Sequence, residues 1–271
     1  MTTAVVPARR DSLMLAVLRS EWIKLRTARS TYLAVAAAAI LGLGIGLLDV
    51  FSVTGHWATM SAADRAAFDP VGDPLSGFQF GELALGALGV LAVSTEYGTG
   101  MIRTTLTATP RRGLVYAAKT LTLAGFALLV SQACAFSAFL LGQLVLHRRH
   151  LSVPITEAHV LRAVACAGLY MAVVALVGFG LGALLRHTAA AMAAMFALVF
   201  LAYPVARAFD GASYLPDHLV LINAATALAT VSPAAGPHAG RIPSFGFALF
   251  DLALYLAVFL GVGAWRAWRD A

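Results

Sequence analysis

The stretch Ala163–Leu185, AVACAGLYMAVVALVGFGLGALL, contains no charged residue. After only Arg186-His187, a second uncharged run follows at Thr188–Ala206. A helix needs roughly 20 apolar residues to cross a hydrocarbon core about 30 Å thick. Backbone groups in lipid must be hydrogen-bonded internally, and the apolar residues do not alternate as they do in a β-barrel strand. Both runs therefore predict membrane-spanning helices.

Four further runs of this kind lie elsewhere in the chain. They are Thr31–Leu48, Leu75–Val93, Thr120–Leu146 and Ile242–Trp265. The third run can begin as early as Leu114, in which case we expect the Lys119 side chain to reach the membrane surface. Hydrophobic residues make up 60% of the sequence and charged residues 12%, against about 25% charged in soluble domains. This composition excludes a disordered chain, a nucleic-acid-binding domain and nearly every soluble enzyme. We predict an all-α, polytopic membrane protein with six transmembrane helices in a single domain over residues 1–271.

The distribution of basic residues predicts how the chain is oriented. With six spans, 13 of the 19 Lys and Arg residues fall on the side that holds both termini. Because basic loops stay in the cytoplasm, both termini are predicted to be cytoplasmic. The cluster 147–150, which contains Arg148 and Arg149, is an exception on the outer side. An excess of Arg over Lys and abundant Ala are typical of GC-rich bacteria, so we expect a multi-pass protein of the bacterial plasma membrane.

The segment 11–29, just before the first span, predicts an amphipathic helix on the inner leaflet. Apolar side chains recur at helical spacing along one stripe, and Trp22 is a typical membrane-interface anchor. The stripe consists of Met14, Leu15, Leu18, Trp22 and Leu25. Lys24 and Arg26 lie off it.

The loop 96–113, after the second span, has too much organisation for a simple linker. Gly98 and Gly100 allow a sharp exit from the membrane, and Thr99–Thr107 predicts two helical turns that Pro110 ends. Met101, Ile102 and Leu106 form its apolar edge. A short, partly apolar helix exposed to the cytoplasm is suited to docking on another protein.

Two motifs in these segments resemble the permease subunits of the second class of ABC exporters. The first is Ser20-Glu21-Trp22-x-Lys24-Leu25-Arg26-Thr27-x-Arg29-Ser30-Thr31. The second is Glu96-Tyr97-x-x-Gly100-Met101-Ile102-Arg103-x-x-Leu106 with Pro110-x-Arg112, followed by Ala117-Ala118-Lys119. The predicted topology, six spans with both termini inside, matches that of the family along almost the whole chain.

The resemblance implies a homodimeric or heterodimeric permease in the lipid bilayer, bound to ABC ATPase subunits. It implies that 11–29 is the elbow helix and that Glu96–Leu106 contacts the ATPase, with Glu96 and Arg103 as polar contacts. The segment Leu219–Val231, within the outer loop 207–243, is too short to span a membrane comfortably and predicts an interfacial or re-entrant helix. The resemblance implies the re-entrant form. The chain has no G-x-x-x-x-G-K-[ST] motif, so we expect it to carry no cofactor and ATP-Mg to bind the partner ATPase.

Three of the polar side chains inside the predicted spans are candidates for a functional site. Glu82 and Asp251 are the only charged groups there, and intramembrane carboxylates suggest a functional site. They either line a translocation path or, if their helices start later, meet water at the outer surface. Gln132 either makes an interhelical hydrogen bond or contacts substrate.

Two further questions stay open at this stage. Gly42-x-x-x-Gly46 and Gly178-x-x-x-Gly182 allow close helix packing, either within the subunit or at a dimer seam. The alternative to an export permease is a membrane-embedded enzyme, or a non-transporting membrane subunit, that uses Glu82 and Asp251.

Overall fold

The computed structural model describes residues 10–109, 111–208, 219–229 and 242–269, and in these residues it contains helices and no β-strand. The helices are α1 (Arg10–Thr27), α2 (Arg29–His56), α3 (Ala62–Ala67), α4 (Phe78–Gly98), α5 (Met101–Ala108), α6 (Arg112–His147), α7 (Ala158–Leu185), α8 (Thr188–Phe196), α9 (Ala202–Ala208), α10 (Leu221–Ala229) and α11 (Phe245–Arg269). A 3-10 turn at Asp73–Leu75 precedes α4, and a π-helical turn at Ala197–Leu201 joins α8 to α9.

Six helical segments are long and apolar enough to cross a membrane, which confirms the all-α class and the six predicted runs. They are Arg29–His56, Asp73–Gly98, Arg112–His147, His159–Leu185, Thr188–Ala208 and Phe245–Arg269. The third segment begins earlier than the run Thr120–Leu146, because Lys119 is accommodated inside the helix bundle and does not end it. Lys119 was expected to reach the membrane surface, and that expectation is wrong: it is 5% exposed.

The bundle has two ends, which we name by the short helices they carry. The α5 face holds α1, α5 and the C-terminal end of α11, where Trp268 lies against Gly113 at the start of α6. The α3 face holds α3, α10 and the first turns of α4 and α11. On that face the Gln143 side chain of α6 donates a hydrogen bond of 2.7 Å to the Pro70 carbonyl, which ties the loop before α4 to the bundle.

Helix α7 is the centre of the fold and packs against α4, α6, α8, α10 and α11. Glycines let α4 and α7 approach closely: a Cβ on Gly89 would lie 1.8 Å from the Ala175 carbonyl oxygen, and one on Gly178 would lie 2.2 Å from the Gly86 carbonyl oxygen. The motif beginning at Gly178 therefore packs within the subunit. Gly46 does the same, because its Cβ would lie 2.1 Å from the Pro74 carbonyl oxygen.

Apolar side chains also cover much of the outer surface of the bundle. Large examples are Leu33, Ile40, Leu48, Leu129, Leu144 and Phe250, all more than half exposed. A soluble protein rarely exposes such a continuous apolar surface. The surface is of the kind that lipid or another membrane-embedded subunit covers.

The segment around α10 has the short helix that the sequence predicts at Leu219–Val231. Helix α10 has nine residues, too few to span a membrane, and its buried side chains Leu221, Ala224 and Leu228 pack toward α7 and α11. The Tyr255 hydroxyl of α11 donates a hydrogen bond of 2.9 Å to the Leu219 carbonyl. Val231, like Pro110 and most of the loop 207–243, lies outside the described residues.

Candidate functional site

The α5 face contains a buried group of four charged side chains that we call the charged cluster: Glu21, Lys24, Glu96 and Lys119. The Lys119 ammonium lies 2.5 Å from Glu21 Oε2 and 2.8 Å from Glu96 Oε1. The Lys24 ammonium lies 2.7 Å from Glu21 Oε1 and 2.8 Å from Glu96 Oε1. Two carboxylates thus meet two ammonium groups, and the net charge of the cluster is zero.

The charged cluster joins three segments that are far apart in sequence. Glu21 and Lys24 come from α1, Glu96 from the end of α4 and Lys119 from the start of α6. Glu21, Glu96 and Lys119 are at most 5% exposed, whereas the Lys24 side chain is 31% exposed. Burial alone would lower the pKa of Lys24, but hydrogen bonds and attraction from Glu21 and Glu96 outweigh it and raise the pKa, so this side chain stays charged.

The chain has only these two lysines beside 17 arginines, and both are in the cluster. A lysine ammonium is a compact charge that fits between two carboxylates, whereas a guanidinium is planar and larger. The use of Lys at 24 and 119 in an Arg-rich chain is the sequence signal that could have predicted the cluster.

The helix predicted at 11–29 corresponds to α1, which turns into α2 at Ala28, a residue with an extended backbone. The side chains of its predicted apolar stripe do not share one environment: some face the bundle and others are exposed. Leu25 is buried and Leu18 half-buried against the bundle, whereas Leu15 is 67% exposed. Trp22 is 37% exposed and meets the Phe126 ring of α6 edge-on at 6.0 Å. Arg26 is exposed.

Helix α5 follows the charged cluster directly. Its sharp entry depends on Gly100, whose φ of +73° lies in the left-handed region that favours glycine. The helix begins at Met101, close to the predicted start at Thr99. Gly98 is the last residue of α4, and a Cβ added there would meet no atom within 4 Å.

The residues of α5 divide into an inner and an outer face. Ile102 and Leu106 are half-buried and line a small cavity of about 40 Å³ with residues of α4, α6 and α7. Met101 is 42% exposed, and Arg103 and Thr104 are exposed. The outer face is therefore the part of α5 that a partner can reach.

Arg186 links the end of α4 to two other segments of the α5 face. This residue, in the turn after α7, has a left-handed backbone with φ of 55°. Its guanidinium lies 4.9 Å from the centre of the Tyr97 ring and donates a hydrogen bond of 3.1 Å to the Arg266 carbonyl. Arg186 thus connects Tyr97, near the end of α4, to the end of α11.

Near the α3 face, two carboxylates in candidate membrane spans lie close enough to one tyrosine to interact with it. Glu82, in the second turn of α4, is 1% exposed and Asp251, in the second turn of α11, is 0% exposed. Tyr170 of α7 is 3% exposed and interacts electrostatically with both. We call Glu82, Tyr170 and Asp251 the carboxyl cluster.

The carboxyl cluster lacks the hydrogen bonds that the charged cluster has. Neither carboxylate nor the Tyr170 hydroxyl has a hydrogen-bond partner in the part of the chain that the structure describes. Both helices start later than their apolar runs, at Phe78 and Phe245, but the carboxylates are enclosed by protein and do not reach the surface of the chain. Tyr170 could not be predicted, because it stands alone in an apolar run.

Gln132 makes an interhelical hydrogen bond, one of the two roles considered for it. Its side-chain nitrogen donates 2.9 Å to the Ala165 carbonyl of α7, and its oxygen has no partner among the described residues. Gly168 leaves room for it, since a Cβ there would lie 2.7 Å from the Gln132 oxygen. No contact joins Gln132 to the carboxyl cluster within the described ranges.

Comparison with known proteins gives no match to a family model, to a curated protein or to a solved structure.

Proposed function

We propose that this chain is the membrane-spanning subunit of an ATP-driven ABC exporter, forming the translocation path and working with a separate ATPase. In this proposal the α5 face is cytoplasmic, the protein is in the bacterial plasma membrane, and two permease subunits form a homodimer or heterodimer. Six helices able to span a membrane, the two permease-like motifs and the absence of a phosphate-binding loop motif in the sequence support it.

The observation that carries the proposal is the position of α5. This helix joins two candidate spans, projects at the end of the bundle and keeps Met101, Arg103 and Thr104 exposed. An open cavity of about 710 Å³ beside it is lined by Arg103, Arg112 and Arg186, among others. An exposed amphipathic helix beside basic side chains suits an ATPase surface with an apolar groove and acidic rim, because rim charges fix register and specificity.

The charged cluster supplies a physical route from that docking surface into the bundle. Glu96 is two residues before the end of α4, so any displacement of α5 acts first on the residue that ties α4 to α1 and α6. ATP-driven movement biases a transporter only if it favours one arrangement of the spans over another. In the proposal Glu96 transmits this movement, while the outer face of α5 makes the contact with the ATPase.

The geometry of the carboxyl cluster supports the permease over the membrane-embedded enzyme. In aspartic proteases the two catalytic carboxylates lie about 3 Å apart and share a proton. Glu82 and Asp251 make no hydrogen bond to each other. We propose that they line or brace the outer part of the translocation path.

Site-specific cross-linking tests the proposal. In a Cys134→Ala/Cys166→Ala background, Thr104→Cys places a thiol on the outer face of α5, and Ala66→Cys places one on α3 as the matched control. After cross-linking in native membranes, we expect an adduct between Thr104→Cys and a protein that carries a phosphate-binding loop, and none from Ala66→Cys. The proposal would be contradicted if Thr104→Cys formed no adduct with such an ATPase, or if Ala66→Cys formed one.

A further inference from the structure

A cavity of about 160 Å³ lies near the α3 face, between α4, α7 and α10. Apolar side chains supply most of its wall: Leu75, Phe78, Ala167, Ile222 and Ala225. Glu82 and Tyr170 are the side chains of the carboxyl cluster that line it, whereas Asp251 does not. Ser76, Gln79 and Thr226 also line the cavity, which is therefore largely apolar with a few polar groups and one carboxylate.

The carboxylate of Glu82 calls for a partner that the described residues do not provide. It is 1% exposed, no described residue makes a hydrogen bond of ordinary geometry to it, and the Tyr170 hydroxyl interacts with it only through a longer contact. A carboxyl group in an apolar environment stays ionised only where a cation or hydrogen-bond donors compensate it, and otherwise takes up a proton. A cation in the cavity would compensate this one.

Acidic residues also lie at the edge of the cavity. Ser76, which lines it, donates a hydrogen bond to Asp49 of α2. Gly72, another lining residue, is packed so closely against Asp69 that a Cβ there would lie 2.8 Å from the Asp69 carboxylate. Asp73 follows in the same turn. Charges of one sign around a cleft raise the local concentration of oppositely charged ligands.

We infer that this cavity binds an organic cation with a protonated amine and a small apolar or aromatic body. The amine lies against Glu82 and the Tyr170 hydroxyl, and the apolar body lies against Phe78 and Leu75. Binding itself follows from the cavity alone, and the identification of such cations as transported cargo rests on the proposed function.

Two small molecules of nearly the same shape test the inference. Benzylammonium carries the positive charge, and benzyl alcohol is its neutral counterpart. The melting temperature of the purified full-length protein is measured against the concentration of each, since a ligand that binds only the folded state raises it. Glu82→Gln removes the charge at nearly constant volume, and Asp64→Asn, on exposed α3 and outside both clusters, is the control for loss of a carboxylate.

We expect benzylammonium to stabilise the native protein and Asp64→Asn at the same concentrations. Loss of a charge-assisted hydrogen bond should weaken its binding to Glu82→Gln by about tenfold or more. Ala225→Phe, which fills the cavity from α10, should also abolish binding and gives a second test if Glu82→Gln does not fold.

Three results would overturn the inference: no stabilisation of the native protein by benzylammonium, equal stabilisation by benzyl alcohol, or unchanged binding in both Glu82→Gln and Ala225→Phe. None of these results bears on the ATPase contact. Conversely, failure of the Thr104→Cys cross-link would contradict the proposed function and leave the binding result in place.

Discussion

Removal of the Lys119 ammonium is the sharpest perturbation of the charged cluster. Lys119 bonds to both Glu21 and Glu96, and all three side chains are at most 6% exposed. Lys119→Met keeps an apolar stem of similar length but leaves two buried carboxylates to share Lys24. Breaking a buried ion pair by removing one partner costs about 3–5 kcal/mol. We expect the free energy of unfolding to fall by that amount.

The same substitution at Lys24 should cost far less. The Lys24 side chain is 31% exposed, so water replaces part of its interaction with Glu21 and Glu96. Exposed ion pairs contribute about 0.2–1 kcal/mol, and we expect Lys24→Met to cost about 1 kcal/mol. Arg103→Met, on the exposed face of α5, is the control and should stay within about 0.5 kcal/mol of the native protein.

Denaturant unfolding of the purified protein in detergent micelles measures these differences. A double variant, Lys119→Met with Glu96→Gln, restores a neutral cluster and should cost less than the sum of the two single substitutions. If Lys119→Met costs no more than Lys24→Met, or if the double variant is simply additive, the two carboxylates do not depend on Lys119 and our account of the cluster is wrong.

Two further predictions concern packing and orientation. Gly89→Ala should destabilise the protein by about 3 kcal/mol in the same unfolding assay, because its Cβ would overlap the Ala175 carbonyl. Gly125→Ala is the control: open space surrounds Gly125, so the substitution should be neutral or stabilising by up to about 1 kcal/mol. In the cysteine-free background, a membrane-impermeant maleimide added to intact cells should label Ala66→Cys and spare a cysteine at Ala271. Labelling at the C-terminus from outside would contradict the orientation.

The helices could be predicted because their signal is local. A run such as Ala163–Leu185 specifies a spanning helix whatever its neighbours are, and Gly100 specifies the turn into α5 by its own backbone freedom. The spacing of the motif beginning at Gly178 could not show whether it packs within the subunit or at a dimer seam. The structure shows packing within the subunit, because the Gly86 carbonyl lies directly opposite Gly178.

The two clusters could not be predicted in the same way. Lys119 at the edge of an apolar run has the pattern of a residue that reaches the membrane surface, and only the approach of Glu21 and Glu96 reveals that it is buried. Tyr170 likewise becomes a candidate site residue only because the fold brings Glu82 and Asp251 near it from two other helices. Long-range pairing of polar groups leaves no periodic signal in a single sequence.

The central claim is that α5 connects this chain to an ATPase, and ATP hydrolysis by the purified complex tests it most directly. The tagged chain is isolated in mild detergent from native membranes as the native protein, as Met101→Glu on the outer face of α5, and as Ala66→Glu on exposed α3. We predict that ATP hydrolysis co-purifies with the native protein and Ala66→Glu and is lost with Met101→Glu. The claim would be contradicted if no ATP hydrolysis co-purified with the intact native protein. It would also be contradicted if as much ATP hydrolysis co-purified with Met101→Glu as with the native protein.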